Sequence, residues 1–187
     1  MRNRKRFIVL LVLLLSNLSC VSFAKPGEII YLIPESFTGG VIIVFNQPDG
    51  ITPETDKDGA IIYKIPKDGL IKVKEPITKT AYDSKYYFVD DKGKRTLIEY
   101  LYPGHYVRNP GDTVSKSFDT ISEEETNNKT FAMIHTTTNF GIQGEKVYIH
   151  NFIVGKPKDY QILYIRASEK IDEFQIGLSK TKAVKQQ

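Results

Sequence analysis

The chain has 187 residues, with 26 Lys and Arg against 22 Asp and Glu, a formal charge of +4, one cysteine and no tryptophan. That length suits one domain of ordinary size, and 41% hydrophobic with 26% charged residues excludes a disordered chain. A lone cysteine excludes an intrachain disulfide framework and a cysteine-rich zinc module, and three histidines leave little material for a metal cage.

The positive charge is concentrated at the start. Arg2, Arg4, Lys5 and Arg6 precede an unbroken apolar run of nine residues, Phe7 to Leu15, and small and polar residues follow to Ala24. This is the three-part layout of a secretory signal, and its apolar stretch is shorter than the about 20 residues that cross a bilayer as a helix. Residues 1–24 therefore read as a signal peptide. Ser22-Phe23-Ala24 offers cleavage after Ala24, so that the mature chain begins at Lys25. Leu18-Ser19-Cys20 offers a second route, in which Cys20 is lipidated and becomes the new N-terminus; Asn17 departs from the leucine of that motif. An uncleaved anchor is the third outcome. Removing the four leader charges leaves 22 basic residues against 22 acidic ones. A balanced surface gives no general field for phosphate, so nucleic acid is not an expected partner.

Short β-type runs then alternate with turn residues. Ile29 to Ile33 ends at Pro34, and Gly39-Gly40 introduces Val41 to Phe45, a continuous apolar strand expected to be buried on both faces. Ile51 to Asp58 reads as an exposed loop. Ala60 to Ile65 and Leu70 to Lys74 are two more strands around Pro66-Lys67-Asp68-Gly69, with Ile71 and Val73 on one face of the second. Lys85 to Val89 and Thr96 to Leu101 flank Asp90-Asp91-Lys92-Gly93-Lys94 as a hairpin. Tyr102 to Asp112 is expected to wrap the surface, and Ser115 to Lys129 to form a loop or short helical turn. A second hairpin joins Thr130 to Thr137 with Lys146 to Val154.

After Pro157 the period changes. Tyr160, Leu163, Tyr164, Ala167, Ile171, Phe174 and Leu178 recur at intervals of three and four, the mark of an amphipathic helix. Lys180 to Gln187 has little to bury and is expected to fray. The fold class is mainly β: a single antiparallel β-sandwich, Ig-like or transthyretin-like, over residues 25–157, with a C-terminal helix and tail over 158–187 packed on it.

Three segments, Tyr31-Leu-Ile-Pro-Glu-Ser-Phe-Thr-Gly39, Tyr63-Lys-Ile-Pro-Lys-Asp-Gly-Leu70 and Phe152-Ile-Val-Gly155, give the chain a family likeness. With Val41 to Asn46 they resemble an uncharacterised family of small exported bacterial proteins, often lipoproteins, over roughly residues 30 to 160. The resemblance implies an exported protein and raises the option of lipidation at Cys20. It implies no catalytic residue. Gly40 to Lys74, with Asp56-Lys-Asp-Gly59 before a strand, is also similar to transthyretin-like and carboxypeptidase-regulatory-like modules, which implies a sandwich but no function.

The residues with chemical potential are few. His135 and His150 lie in the two arms of the second hairpin and would face each other if it pairs around residues 142–143; they are metal candidates lacking a third ligand, and a structural or surface pair is the expectation. Asp56 and Asp58, like Asp90 and Asp91, precede a glycine as in part of a calcium loop, but lack its later ligands, so plain turns are expected. His105 sits in the tyrosine-rich Tyr100-Leu-Tyr-Pro-Gly-His-Tyr106, a loop over the core edge or a peptide- or sugar-binding surface. Ser179-Lys-Thr-Lys182 matches Ser-x-x-Lys without its companion motifs, and Glu123-Glu-Glu125 reads as a solvated run. Asn128-Lys-Thr130 is a glycosylation acceptor only in a host that modifies such sites. No catalytic or cofactor-binding signature is found, and no cofactor is expected.

The sequence therefore predicts an exported protein of periplasm, envelope or extracellular space, a non-enzymatic binding or structural module. Its expected partner is an envelope protein or peptide, and it meets the membrane only through a lipid on Cys20. The alternatives are an envelope hydrolase or metal-dependent enzyme using the histidines and acidic turns, and a secreted effector or inhibitor.

Overall fold

The structure is a computed structural model, and it describes residues 28–77, 84–102, 115–142 and 144–184. Its strands are β1 (Ile29–Pro34), β2 (Gly39–Val44), β3 (Glu54–Thr55), β4 (Ile61–Lys64), β5 (Leu70–Lys72), β6 (Ser84–Val89), β7 (Arg95–Ile98), β8 (Tyr100–Tyr102), β9 (Ser115–Ser117), β10 (Phe131–Ile142) and β11 (Glu145–Gly155). A short helix α1 (Glu123–Asn128) follows β9 and a 3-10 turn, and a long helix α2 (Tyr160–Val184) ends the described chain.

The strands form two sheets, β3-β4-β1-β6-β7 and β5-β2-β11-β10-β8-β9. Tyr31, Ile33, Tyr63, Tyr86 and Ile98 of the first meet Val41, Ile43, Ile71, Tyr100, Phe152 and Val154 of the second in one buried cluster. The second sheet is covered on its other face by α2, where Leu163 and Ala167 pack on Leu101, Phe131, Met133 and Ile153, and Ile171 packs on Ile42, Val44 and Ile149. Val41 to Val44 are all fully buried because odd positions enter the inter-sheet core and even positions lie under the helix. Burying each such side chain contributes about 1.5–3 kcal/mol, so this strand is strongly anchored from both sides.

The fold is mainly β with a C-terminal helix, as expected, but the sheets are mixed and not antiparallel. β1 runs parallel to both β4 and β6, β2 to β5, and β8 to both β10 and β9. After β1 the chain leaves for the other sheet and later returns in the same direction, so the central strand acquires parallel neighbours. The expected strand Thr96 to Leu101 is divided at Glu99: Ile98 and Tyr100 both reach the core, one from each sheet. Within the expected loop Ile51 to Asp58, Glu54 and Thr55 pair with β4, and Ile51 bridges Val73. In α2, Tyr164 lies off the core stripe and is 44% exposed, and the helix continues through the expected tail to Val184.

The sandwich has two poles. At one lie the end of β1, the start of β2 and the end of β11, since Gly39 pairs with Val154. At the other lie Ile29, Val44 and the tip of the β10–β11 hairpin.

Candidate functional site

The three segments that carry the family likeness meet at the first pole. Pro34 ends β1, and the Phe37 amide donates to its carbonyl at 3.0 Å, closing a turn that holds Ser36 at φ +69°. Pro66 and Gly69 close the neighbouring turn at 2.9 Å, and the Gly69 carbonyl accepts from the Ile42 amide at 2.8 Å. Gly69 adopts φ +77°, and a Cβ there would come within 2.5 Å of the Gly40 carbonyl oxygen and 2.8 Å of the Phe37 ring. Glycine is thus required twice over, by conformation and by space. Gly155 completes the junction: a Cβ on it would lie 2.4 Å from Leu163 Cδ1 and 3.4 Å from Thr38 Cγ2. Above this packed floor Glu35, Ser36, Thr38, Lys67 and Asp68 face solvent, while Lys170 of α2 reaches across to donate to the Asp68 carbonyl. Rigid turns presenting polar side chains are a recurrent form of recognition surface.

Toward the other pole the core is aromatic and polar. The parallel register aligns Tyr63, Tyr31 and Tyr86 across three strands. Their rings stack with centroids 5.7 and 5.2 Å apart, and Tyr100 extends the stack 5.6 Å from Tyr86. Phe152 from the facing sheet lies 4.8 Å from Tyr31 and 5.0 Å from Tyr86. Burial pushes both the Tyr31 and Tyr86 phenols well above the ordinary tyrosine range; neighbouring phenols add to the rise, and hydrogen bonding with Ser84 partly offsets it. They remain neutral donors at any physiological pH.

His150 stacks on Tyr31 with centroids 6.3 Å apart, and its Nδ1 lies 3.0 Å from the Thr137 hydroxyl. The register makes Thr137, and not His135, its cross-strand partner. The physical reason is the turn: Ile142 pairs with Glu145, so the hairpin centres one residue later than 142–143, with Gly144 at φ +83°. A bulge between Met133 and Thr136 then takes position 135 out of the regular ladder. Among the described residues no group of three or more His, Cys, Asp and Glu side chains could together hold a metal ion.

The acidic turns spend their carboxylates internally. Asp56 Oδ1 accepts from the amides of Asp58 and Ala60, both at 2.9 Å, and Asp90 Oδ1 accepts from Lys92 and Lys94 at 2.9 and 2.8 Å. Gly59 at φ +87° and Gly93 at φ +80° complete two turns of the same design. Glu123 to Glu125 form the first turn of α1, where Ser122 and Glu125 make a reciprocal capping box. Glu125 also joins a ring that composition conceals: Lys116 lies 2.5 Å from Glu125 and 3.3 Å from Glu99, and Lys129 lies 2.6 Å from Glu99 and 3.5 Å from Glu125. Hydrogen bonding from Lys116, with the Ser122 amide second, lowers the Glu125 carboxyl to about 2. Partial burial raises the Glu99 carboxyl, but hydrogen bonds from Lys129 and Lys116 outweigh it and leave it lowered. The Ser122-x-x-Glu125 spacing was the readable sign of this corner. Ser179 lies within α2 with its hydroxyl donating to the Gln175 carbonyl, and Asn128 is exposed at the end of α1. Cys20, Ala24 and His105 lie outside the described residues.

No curated protein matches the chain. Among solved structures, the crystal structure of a "Putative Lipoprotein from Bacillus anthracis" is similar over 67% of this chain and 68% of its own, with 19% identity and a TM-score of 0.45. The model of a family of unknown function (DUF6843) matches residues 26–148, which is most of the sandwich, and the chain belongs to that family.

Proposed function

We propose that the protein is exported to the cell envelope and works there as a non-catalytic binding or structural module, with the Glu35–Thr38 and Pro66–Gly69 turns as its contact surface. The observation that carries this reading is the division of its polar groups. The two buried amide side chains are engaged within the chain, Gln47 donating to the Phe45 carbonyl and Asn151 accepting from Thr136, whereas Glu35, Ser36, Thr38, Lys67 and Asp68 are presented on a packed floor at one pole. Export rests on the basic and apolar leader, which ends at Cys20 or Ala24. Among the described residues no helix is long and apolar enough to cross a membrane.

Intact-mass analysis of the protein from membrane and soluble fractions tests the address. A diacylglyceryl group on Cys20 means a lipid-anchored module, and a chain beginning at Lys25 means soluble export. A chain retaining Met1 in the cytosolic fraction overturns the reading. Pull-down from envelope extract tests the binding role, because the wild-type chain should retain a partner that a Glu35→Lys, Asp68→Lys variant loses. Turnover of an envelope substrate that depends on His150 or Asp56 overturns it.

A further inference from the structure

The described chain begins at Glu28, and that residue is fixed at the second pole. Its carbonyl accepts from the Ile61 amide at 2.9 Å, and its carboxylate pairs with Lys85 at 2.8 Å. Whatever holds the leader therefore pulls on that pole. Eight residues carry the chain from Cys20 to Glu28, a reach of at most about 29 Å.

The β10–β11 hairpin projects from the same pole. Ile149 pairs with Val44 and Glu145 with Ile142, so the tip stands four residues, about 13 Å, beyond the end of β2. The Glu35–Thr38 and Pro66–Gly69 turns lie the other way. Gly39 pairs with Val154, nine residues from Glu145, which sets these turns about 30 Å from the tip along the strands. Tyr31 stacks on His150, which brings Glu28 to within two residues, about 7 Å, of Glu145 along the same axis. With the tip toward the bilayer, a tether from Cys20 has little more than that gap to bridge. Turning the first pole to the bilayer would carry it back along all of β1, about 17 Å, and past the turn at Pro34, which consumes most of its reach. The charges at the second pole leave the choice to the tether, for Lys57 stands between Asp56 and Asp58, Lys74 beside Glu75 and Lys146 beside Glu145. Opposite charges this close largely cancel in the field that a lipid surface feels.

We propose that a lipid on Cys20 holds the domain with the β10–β11 tip toward the bilayer and the first pole away from it, so that the Glu35–Thr38 and Pro66–Gly69 turns meet a protein on the aqueous side and not a lipid headgroup. This deepens the binding-module reading and rests on it. The test attaches a fluorescent donor to a Lys146→Cys variant and, separately, to a Lys67→Cys variant of the lipidated full chain, both positions being exposed. The lipid occupies the Cys20 sulfur, so each variant has a single free thiol. The protein is placed in vesicles of phosphatidylethanolamine and phosphatidylglycerol that carry a lipid-bound acceptor. Energy transfer should be several-fold stronger from position 146 than from position 67, and a chain beginning at Lys25 should show none from either. Equal transfer, or stronger transfer from position 67, overturns the orientation and leaves the binding-module reading standing. Transfer from the chain beginning at Lys25 means that the domain sits on lipid without its anchor, and overturns the orientation as well. Cys20 found without lipid by intact mass overturns the orientation alone, whereas a chain retaining Met1 in the cytosol overturns both.

Discussion

Gly40 of the second sheet packs directly against Ala167 of its helix: a Cβ on Gly40 would lie 2.4 Å from Ala167 Cβ and 3.2 Å from its Cα. Both neighbours on the helix side are rigid, one of them backbone, so neither can turn aside. Gly40→Ala is expected to destabilise the domain by about 1–3 kcal/mol, the usual range for overpacking. Ala167→Gly in that background should restore part of the loss, less about 1 kcal/mol for glycine inside a helix. Urea denaturation of the single and double variants checks both numbers.

Ser36 holds φ +69° without being glycine. Ser36→Gly removes that strain, worth about 1–2 kcal/mol, against an entropic cost of about 0.5–1 kcal/mol, so it should be neutral to mildly stabilising. Ser36→Val has no such relief and should lower stability by about 1–2 kcal/mol. If thermal unfolding ranks valine at or above glycine, the turn is not strained as described.

The Asp56 and Asp90 turns share one design, so their loss should cost alike. Asp56→Ala and Asp90→Ala each remove two hydrogen bonds to partly solvated amides, and about 1 kcal/mol apiece is expected. Because the carboxylates already serve their own turns, excess calcium should leave Tm unchanged. A rise in Tm with calcium that Asp56→Ala abolishes would show that the turn takes a cation.

The ring of Lys116, Glu99, Lys129 and Glu125 makes stability depend on acid. Glu125 titrates at about 2 in the folded chain against 4.5 ordinarily, and the Glu99 carboxyl is lowered too. A depressed folded value contributes stability that is present in full above the ordinary value and is lost as pH falls through the folded one. Tm should therefore fall between pH 4.5 and about 2, and Glu125→Gln should flatten that descent. Its hydrogen bond with Glu125 raises Lys116, so the same ring weakens again only in strong alkali, above 10.5. Solvent screens the ring, so the effect is small and salt should reduce it.

What the sequence disclosed follows from which forces are local. The unbroken apolar run Val41 to Phe45 announced a strand buried on both sides, and the spacing of Leu163, Ala167 and Ile171 announced the helix face. Periodicity states which way a side chain points but not which strand lies beside it, so the parallel pairing of β1 was invisible. The corner at Glu99 was hidden because Ile98 and Tyr100 keep the alternation of one strand while serving two sheets. The partner of His150 depended on a turn one residue later than centred and on a bulge, neither marked by residue type. The loop pole was half legible: prolines and glycines located its turns, but only the fold brings Phe37 onto Gly69 and Thr38 onto Gly155.

The central place of β1 has a kinetic consequence. Its partners are β4 and β6, so its ladders wait for residues 61–64 and then 84–89 to be available, whereas β10 and β11 meet across a tight turn. Contacts of short sequence separation close fastest, and distant ones must first overcome loop entropy. The C-terminal hairpin is thus the natural nucleus, and the strand made first is among the last to be enclosed.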